Sequence, residues 1–477
     1  MQASVKRIQI IIIFFNIVWV CLVGCRKFVE ISPPSTQIVT PSVFSDDNAA
    51  TAALTNIYSA MTSDSWNMSQ NAGLLSDELE TSSVNPGVVS YFHDDLAGNT
   101  TLSFGPWVQA YNCIYQSNAV IYGIKTGKGM TPAIERQLTG EAEFIRAFWY
   151  FYLINCYGDV PLVLSTDYKI NSTLSRAPKA KVYEQIISDL NDAYNLLNIN
   201  YVDGSDTTVS TERIRPNKAA AAALLARVYL YTNDYVNAEK KAELVISDGQ
   251  FQLVQDLSEV FLMNSAEAIW QLGAPSTSIY STVDGFNYIL TAAPATGDAG
   301  GQAVTISDQL MNSFEPNDQR KATWIGSITF TNPDTTYYYP FKYKSNTLPV
   351  SEYVMMLRLS EQYLIHAEAL ARQDKQLDQA VADINNIRKR AGLDNYKGPL
   401  NKDSILPVVL HERQVELFTE WGHRWFDLIR AGNVNAVMSV VTPIKGGGAW
   451  ESWRELFPIP QSEIAIDFNL TQNPGYN

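Results

Sequence analysis

Apolar residues recur at helical spacing over most of this chain. After Phe44, the positions Ala53, Ile57, Ala60 and Met61 fall three to four residues apart, which predicts a helix with one buried face. Asp46 and Asp47 stand where a first turn favours acids. Trp107, Tyr111, Ile114, Tyr115, Asn118, Ile121 and Tyr122 predict a second amphipathic helix over 107–124. A longer, aromatic one is expected over 132–157, stopped at Tyr157-Gly158-Asp159-Val160-Pro161 by glycine and proline. Another follows over 182–197. Two later segments share a spacing of small and large residues: Leu225, Ala226, Tyr229, Ala238, Ala242 and Val245, then Tyr363, Ala367, Leu370, Ala380, Ile384 and Ile387 with one extra residue in the turn. Small alanines let two helices approach while Tyr and Leu fill the space between neighbours, the habit of tetratricopeptide-like pairs. Two unrelated antiparallel helix pairs would leave the same pattern.

Between those hairpins, 264–351 is rich in Gly, Thr, Ser, Pro and aromatics. It has short strand-like runs at Ala268-Ile269-Trp270-Gln271-Leu272 and Tyr337-Tyr338-Tyr339. Residues 62–106 have the same loop-heavy character, and 446–477 is irregular. Long irregular segments on a helical scaffold are uncommon unless functional. The expected fold is mostly α: a single domain over 44–477, a tetratricopeptide-like scaffold of helical hairpins carrying loop-rich segments 62–106 and 264–351 and minor β structure.

The start of the chain is of another kind. Lys6 and Arg7 precede a run of about sixteen residues that is apolar except for Gln9 and Asn16. That is short for a bilayer-spanning helix, which needs roughly 20 residues, and fits a secretory signal. Its ending, Leu22-Val23-Gly24-Cys25, resembles a bacterial lipobox, where the signal is cut before an acylated cysteine. The expectation is a lipoprotein signal over 1–24, lipid on Cys25, and a tether over 25–43 in which Pro33 and Pro34 disfavour helix. An ordinary signal with an incidental cysteine, or an uncleaved anchor, are the alternatives.

Composition then narrows the class. Cleavage would leave 453 residues, and 46% hydrophobic with 11% aromatic content describes a globular protein. The formal charge of −14 becomes −16 without Lys6 and Arg7. That is no footprint for nucleic acid, and anionic headgroups would repel it, so lipid must do the anchoring. Cys113 and Cys156 would remain; they could pair in an exported protein, but their apolar helical surroundings favour two buried thiols.

An enzyme should leave a mark. His93, His366, His411 and His423 show no ligand spacing, and His411-Glu412-Arg413-Gln414-Val415 lacks the second histidine of a zinc-binding helix. No phosphate-cradling glycine loop, serine elbow or thiol dyad appears, and neither metal nor cofactor is expected. Glu412, Glu416 and Glu420 share one helix face and invite a glycosidase reading, whose two carboxylates stand about 5 to 9.5 Å apart across a cleft. Arg413, Arg424 and Arg430 nearby point instead to a structural ion network.

Several stretches in order resemble one family. They are Gly140-Glu-Ala-Glu-Phe-Ile-Arg-Ala-Phe-Trp-Tyr-Phe, Tyr157-Gly-Asp-Val-Pro-Leu, Arg358-Leu-Ser-Glu-Gln-Tyr-Leu-Ile-His-Ala-Glu-Ala, Ile384-Asn-Asn-Ile-Arg-Lys-Arg-Ala-Gly-Leu, His411-Glu-Arg-Gln-Val-Glu-Leu, Gly422-His-Arg-Trp-Phe-Asp-Leu-Ile-Arg, Leu456-Phe-Pro-Ile-Pro-Gln-Ser-Glu-Ile and Gln472-Asn-Pro-Gly-Tyr. The family is the SusD/RagB-like outer-membrane lipoproteins of Bacteroidetes, and the resemblance covers essentially all of 25–477. It implies a lipid-anchored protein on the cell exterior that binds nutrient oligosaccharides, or peptides in some members. Such a protein delivers its ligand to a SusC-like TonB-dependent transporter and acts as the transporter's lid. A surface hydrolase, or an adaptor without a small ligand, are the competing classes.

Sugar rings offer C–H faces that rest on aromatic planes, and hydroxyls that take directional bonds from Asp, Asn and Arg. The aromatics that no helical period claims are Trp66, Tyr91, Phe92, Tyr280, Phe286, Tyr288 and Trp324, with Asp77, Asn85, Asp94 and Arg320 as polar neighbours. For each aromatic, packing of loop on scaffold is the competing role. Trp149, Tyr150, Tyr152, Tyr229 and Tyr363 read as core. No family motif maps individual ligand residues onto this chain.

Overall fold

Asp46 opens the first helix, its carboxylate accepting from Ala49 N at 2.8 Å. The structure is a computed structural model that describes residues 43–99, 105–297, 302–331 and 334–476, except for the side chains of 63–66. The proposed signal, Cys25 and the tether thus lie outside the described residues, and one compact unit spans Phe44–Asn477.

Helix α1 (Asp47–Leu75) runs thirteen residues past position 62, where a loop is expected. Asn67, Ser69 and Asn71 are poor helix formers. Tertiary packing overrides them: Met68, Ala72, Leu74 and Leu75 are buried, and Ser69 Oγ accepts from Trp421 N at 3.0 Å. A short α2 (Pro86–Phe92) follows, so 62–106 holds more helix than its composition suggests.

The scaffold continues with α3 (Trp107–Thr126), α4 (Pro132–Tyr157), α5 (Tyr168–Asn171), α6 (Lys179–Leu196), α7 (Lys218–Tyr231) and α8 (Tyr235–Ile246). Gly158, at φ +72°, ends α4. Next come α9 (Val283–Tyr288), α10 (Asp308–Ser313) and α11 (Gln319–Trp324), then α12 (Leu359–Arg372), α13 (Leu377–Arg390) and α14 (Lys402–Leu417). α15 (His423–Arg430), α16 (Val434–Ile444) and α17 (Gln461–Ile466) complete the helices. α3 packs on α4, α4 on α6, α6 on α7, α7 on α8, α8 on α12, and α12 on α13 and α14. Residues 232–234 join α7 to α8 and 373–376 join α12 to α13, the one-residue difference expected. Ala226, Ala238, Ala242, Ala367 and Ala380 are all fully buried.

The strands form two-stranded antiparallel sheets: β1 (Leu79–Thr81) with β5 (Val304–Ile306), β2 (Val160–Pro161) with β3 (Arg176–Ala177), β4 (Ala268–Leu272) with β8 (Val354–Arg358), and β6 (Ile325–Thr331) with β7 (Asp334–Pro340). The β4–β8 ladder closes the long insertion, with Leu272 opposite Val354. The fold is therefore mostly helical with minor β, as expected.

Two systems hold the interior. Aromatic rings from α4 meet Trp270 and Trp421, with Phe144–Trp270 centroids 5.0 Å apart and Phe148–Trp421 5.2 Å. Beside them lies a buried ion network. Arg358 donates to Glu267 (3.0 Å), Glu416 (2.6 Å) and Glu420 (2.7 Å); Arg320 to Asp318 (2.8 Å), Glu412 (2.9 Å) and Glu416 (3.1 Å); Arg388 to Glu412 (2.6 Å). Arg390 reaches Glu267 (2.5 Å) and Glu416, and Lys342 reaches Glu420 (2.5 Å). Burial opposes ionisation of Glu416, but Arg390, Arg358 and Arg320 hold its carboxyl well below the usual range. The acids of the 411–420 stretch are thus paired and out of reach of a substrate. The expected network exists, with different cations: Arg413 and Arg430 pair with Asp427, and Arg424 with Asp77. Cys113 and Cys156 are buried thiols and do not pair with each other.

Candidate functional site

Along α1, Thr55, Ser59 and Thr62 follow at spacings of four and three, a stripe of hydroxyls, while Leu54, Ile57 and Met61 go to the core. Two adjoining cavities run beside that stripe. The first, of about 380 Å³, is bounded by Thr55, Ser59, Asp203, Glu212, Arg215 and Tyr353. The second, of about 340 Å³, is bounded by Thr62, Ser278, Tyr280, Thr282 and Val354. Ala274 and Pro275 line both, so they form one groove with two lobes. Each lobe has the size of a small-molecule site.

The first lobe is acidic where it is free. Arg215, its cation, is committed: it donates to Glu141 at 2.6 Å, to Asp203 O at 2.7 Å and to Asp206. Tyr58, in the same wall, donates to Glu141 Oε2 at 2.6 Å. Asp203 accepts from Ser205 N and Oγ, bonds that lower its carboxyl. Burial, and then the neighbouring Glu212 carboxylate, push the Tyr353 hydroxyl up. Glu212 Oε2 is enclosed and has no hydrogen-bond partner among the described residues.

The second lobe carries the aromatic surface. Thr282 Oγ1 accepts from Gly285 N at 3.0 Å and starts α9. Ser281 Oγ accepts from Ser351 N and Glu352 N, both at 3.1 Å, fastening this loop to the far end of the insertion. Gly285 is required because a Cβ there would stand 2.3 Å from Ser345 O. On this footing Tyr280 and Phe286 stack nearly parallel, centroids 5.0 Å apart at 28°, with Phe286 39% exposed.

Of the sequence-predicted candidates, the structure brings together Tyr280 and Phe286. Phe92 is half-buried against His93. Tyr91, Tyr288 and Trp324 are corrections, because the loops fold back and bury all three: Tyr91 meets Phe457 edge-on, and Trp324 Nε1 donates to Leu257 O at 2.8 Å. Arg320 belongs to the ion network. Asp77 takes two 2.7 Å bonds from Arg424, and Asp94 binds Lys445 at 2.8 Å and Thr442 at 2.6 Å, burial raising its carboxyl to about 6. Asn85 caps α2 through Gly87 N at 2.9 Å. The side chain of Trp66 lies outside the described residues. The groove residues that sequence reading missed are Thr55, Ser59, Thr62, Glu212 and Tyr353; the hydroxyl stripe of α1 was the available signal. Among the described residues no cluster of His, Cys, Asp or Glu could hold a metal, and no helix is long and apolar enough to cross a membrane.

Two family models match the chain: "SusD family" over residues 305–476 and "Starch-binding associating with outer membrane" over 27–230. The chain is 26% identical to SusD-like protein P2 of Formosa agariphila, over 97% of this chain and 99% of that one. Its fold is similar to a SusD superfamily protein from Bacteroides vulgatus (TM-score 0.79, 22% identity, 91% of this chain and all of that one). It is also similar to a laminarin-binding SusD-like protein (TM-score 0.71, 23% identity, 90% and 99% covered).

Proposed function

The chain belongs to the SusD/RagB family, and from that premise we propose that it captures neutral oligosaccharides in the two-lobed groove and delivers them to a SusC-like TonB-dependent transporter, acting as its lid. It works from the outer face of the outer membrane, held by lipid on Cys25, and does not cleave what it holds. The observation that carries the reading is the partly exposed Tyr280–Phe286 stack bordering a groove of hydroxyls and carboxylates. A sugar ring lies on such a plane, and stacking of this kind contributes about 0.5–1.5 kcal/mol per contact by analogy with aromatic pairs. Hydroxyls and a partnerless carboxylate oxygen orient the ring by directional bonds. Asp203 and Glu212, with Arg215 already spent on acids, disfavour anionic chains.

Native affinity gels loaded with soluble starch, laminarin or a sulfated polysaccharide test this, beside calorimetry with peptide pools. One neutral glycan retards the protein, and Tyr280→Ala and Phe286→Ala each weaken that by about three- to tenfold. Heat with peptides and silence with every glycan overturns the glycan assignment; new reducing ends on incubation overturn the non-enzymatic one. In whole cells, labelled fatty acid enters the protein and Cys25→Ala abolishes both the label and membrane sedimentation. A transporter barrel co-purifies with the wild type.

A further inference from the structure

A second cleft, of about 460 Å³, lies between α3, α5 and α17 and shares no lining residue with the groove of Tyr280. Its floor includes Trp107, and Tyr111 is pinned there by a 2.9 Å bond from its hydroxyl to Pro161 O. Two tyrosines in its lining stay in solvent: Tyr115 is 50% and Tyr168 71% exposed. Tyr115 stands on the outer side of α3, whose apolar face is buried elsewhere, and Tyr168 on α5, which buries none of its residues, so burial explains neither ring. The lining is mostly apolar, with Val108 and Ile466 exposed, and polar groups interrupt it. Asn112 is exposed, Glu463 and Asp467 are the charged residues, and no Lys or Arg lines the cleft. Asn171 Nδ2 donates to Ser165 O at 2.7 Å, while its Oδ1 is enclosed with no donor among the described residues. That acceptor belongs to the last residue of a four-residue helix in the lining of the cleft.

We propose that this cleft is a second oligosaccharide site, taking a neutral chain between the rings of Tyr115 and Tyr168. Concavity, flat rings and hydroxyl-accepting oxygens suit a polyol better than a protein surface, and the paired acids repel uronate or sulfate. The inference rests on the glycan-binding reading above. Its consequence is avidity: one polymer engaging both sites is held by an effective concentration rather than by new contacts.

The test compares the wild type, Tyr115→Ala/Tyr168→Ala and Tyr280→Ala/Phe286→Ala in affinity gels with soluble starch and laminarin. Both substituted tyrosines are exposed, so the first variant keeps the wild-type melting temperature. For the polymer that retards the wild type, its apparent dissociation constant rises about three- to tenfold. Retardation equal to wild type overturns the second site and leaves the groove assignment standing. Unchanged retardation with lost co-purification of the transporter reassigns the cleft to that protein and overturns it equally. A wild type retarded by neither polymer fails the underlying reading, and this one with it.

Discussion

Asp284 is buried on α9, two residues before Phe286, and its Oδ2 meets no donor among the described residues. Burial, then the nearby Glu420 charge, raises its carboxyl to about 7 from an ordinary 3.8. The folded protein therefore keeps a proton that the unfolded chain releases near pH 4. The resulting stability is complete below pH 4 and is lost as pH rises through about 7. Asp284→Asn, which cannot ionise, is expected to shrink the fall in unfolding free energy between pH 5 and pH 8 by about 2 kcal/mol; denaturant melts at each pH read this. Glu78, lifted to about 8 by burial, keeps a slope of the same sign in both proteins. None of this was readable from sequence. An Asp in a Gly- and Thr-rich stretch looks solvated, and only the contact of α9 with α1 and the strand ends beyond it removes the water.

Legibility at the level of elements follows the range of the interactions. The α7–α8 and α12–α13 hairpins were visible because close helix approach demands alanines at fixed local spacing, and those alanines are fully buried. The second half of α1 was hidden, since Asn67, Ser69 and Asn71 argue for a loop, and the bond that buried Ser69 accepts comes from Trp421, some 350 positions later. The insertion shows the same limit for chemistry. Trp324 and Tyr280 come from similar surroundings in sequence, yet Trp324 is drawn under Leu257 O and Lys342 while Tyr280 stays at the groove. What separates them is the Thr282 cap and the close approach of Gly285 to Ser345, which seat α9 with Phe286 outward and its other residues buried. Aromatic content in a loop thus locates the site only roughly.

Across the whole molecule, the ion network joins segments that are far apart in the chain. Arg358 links Glu267 at the start of β4 to Glu416 and Glu420 after the last scaffold pair, and Arg390 bridges Glu267 and Glu416 again. Arg358→Met would keep the volume but strand those carboxylates in the interior, at a cost of about 3–5 kcal/mol. Equilibrium unfolding in guanidinium is the measurement, and a loss under 1 kcal/mol would show the acids relaxing to other donors. The ladder of β4 and β8 has a separate consequence. By setting Leu272 opposite Val354 it lets the chain leave the scaffold and return at one doorway. Arg320 and Lys342 then bolt the returning half to the acids inside. Among its described residues the outgoing half, with Tyr280 and Phe286, carries no such bolt. Outward positions of that half, Phe286 among them, can therefore change without breaking an ion pair of the core, whereas buried Asp284 and close-packed Gly285 cannot.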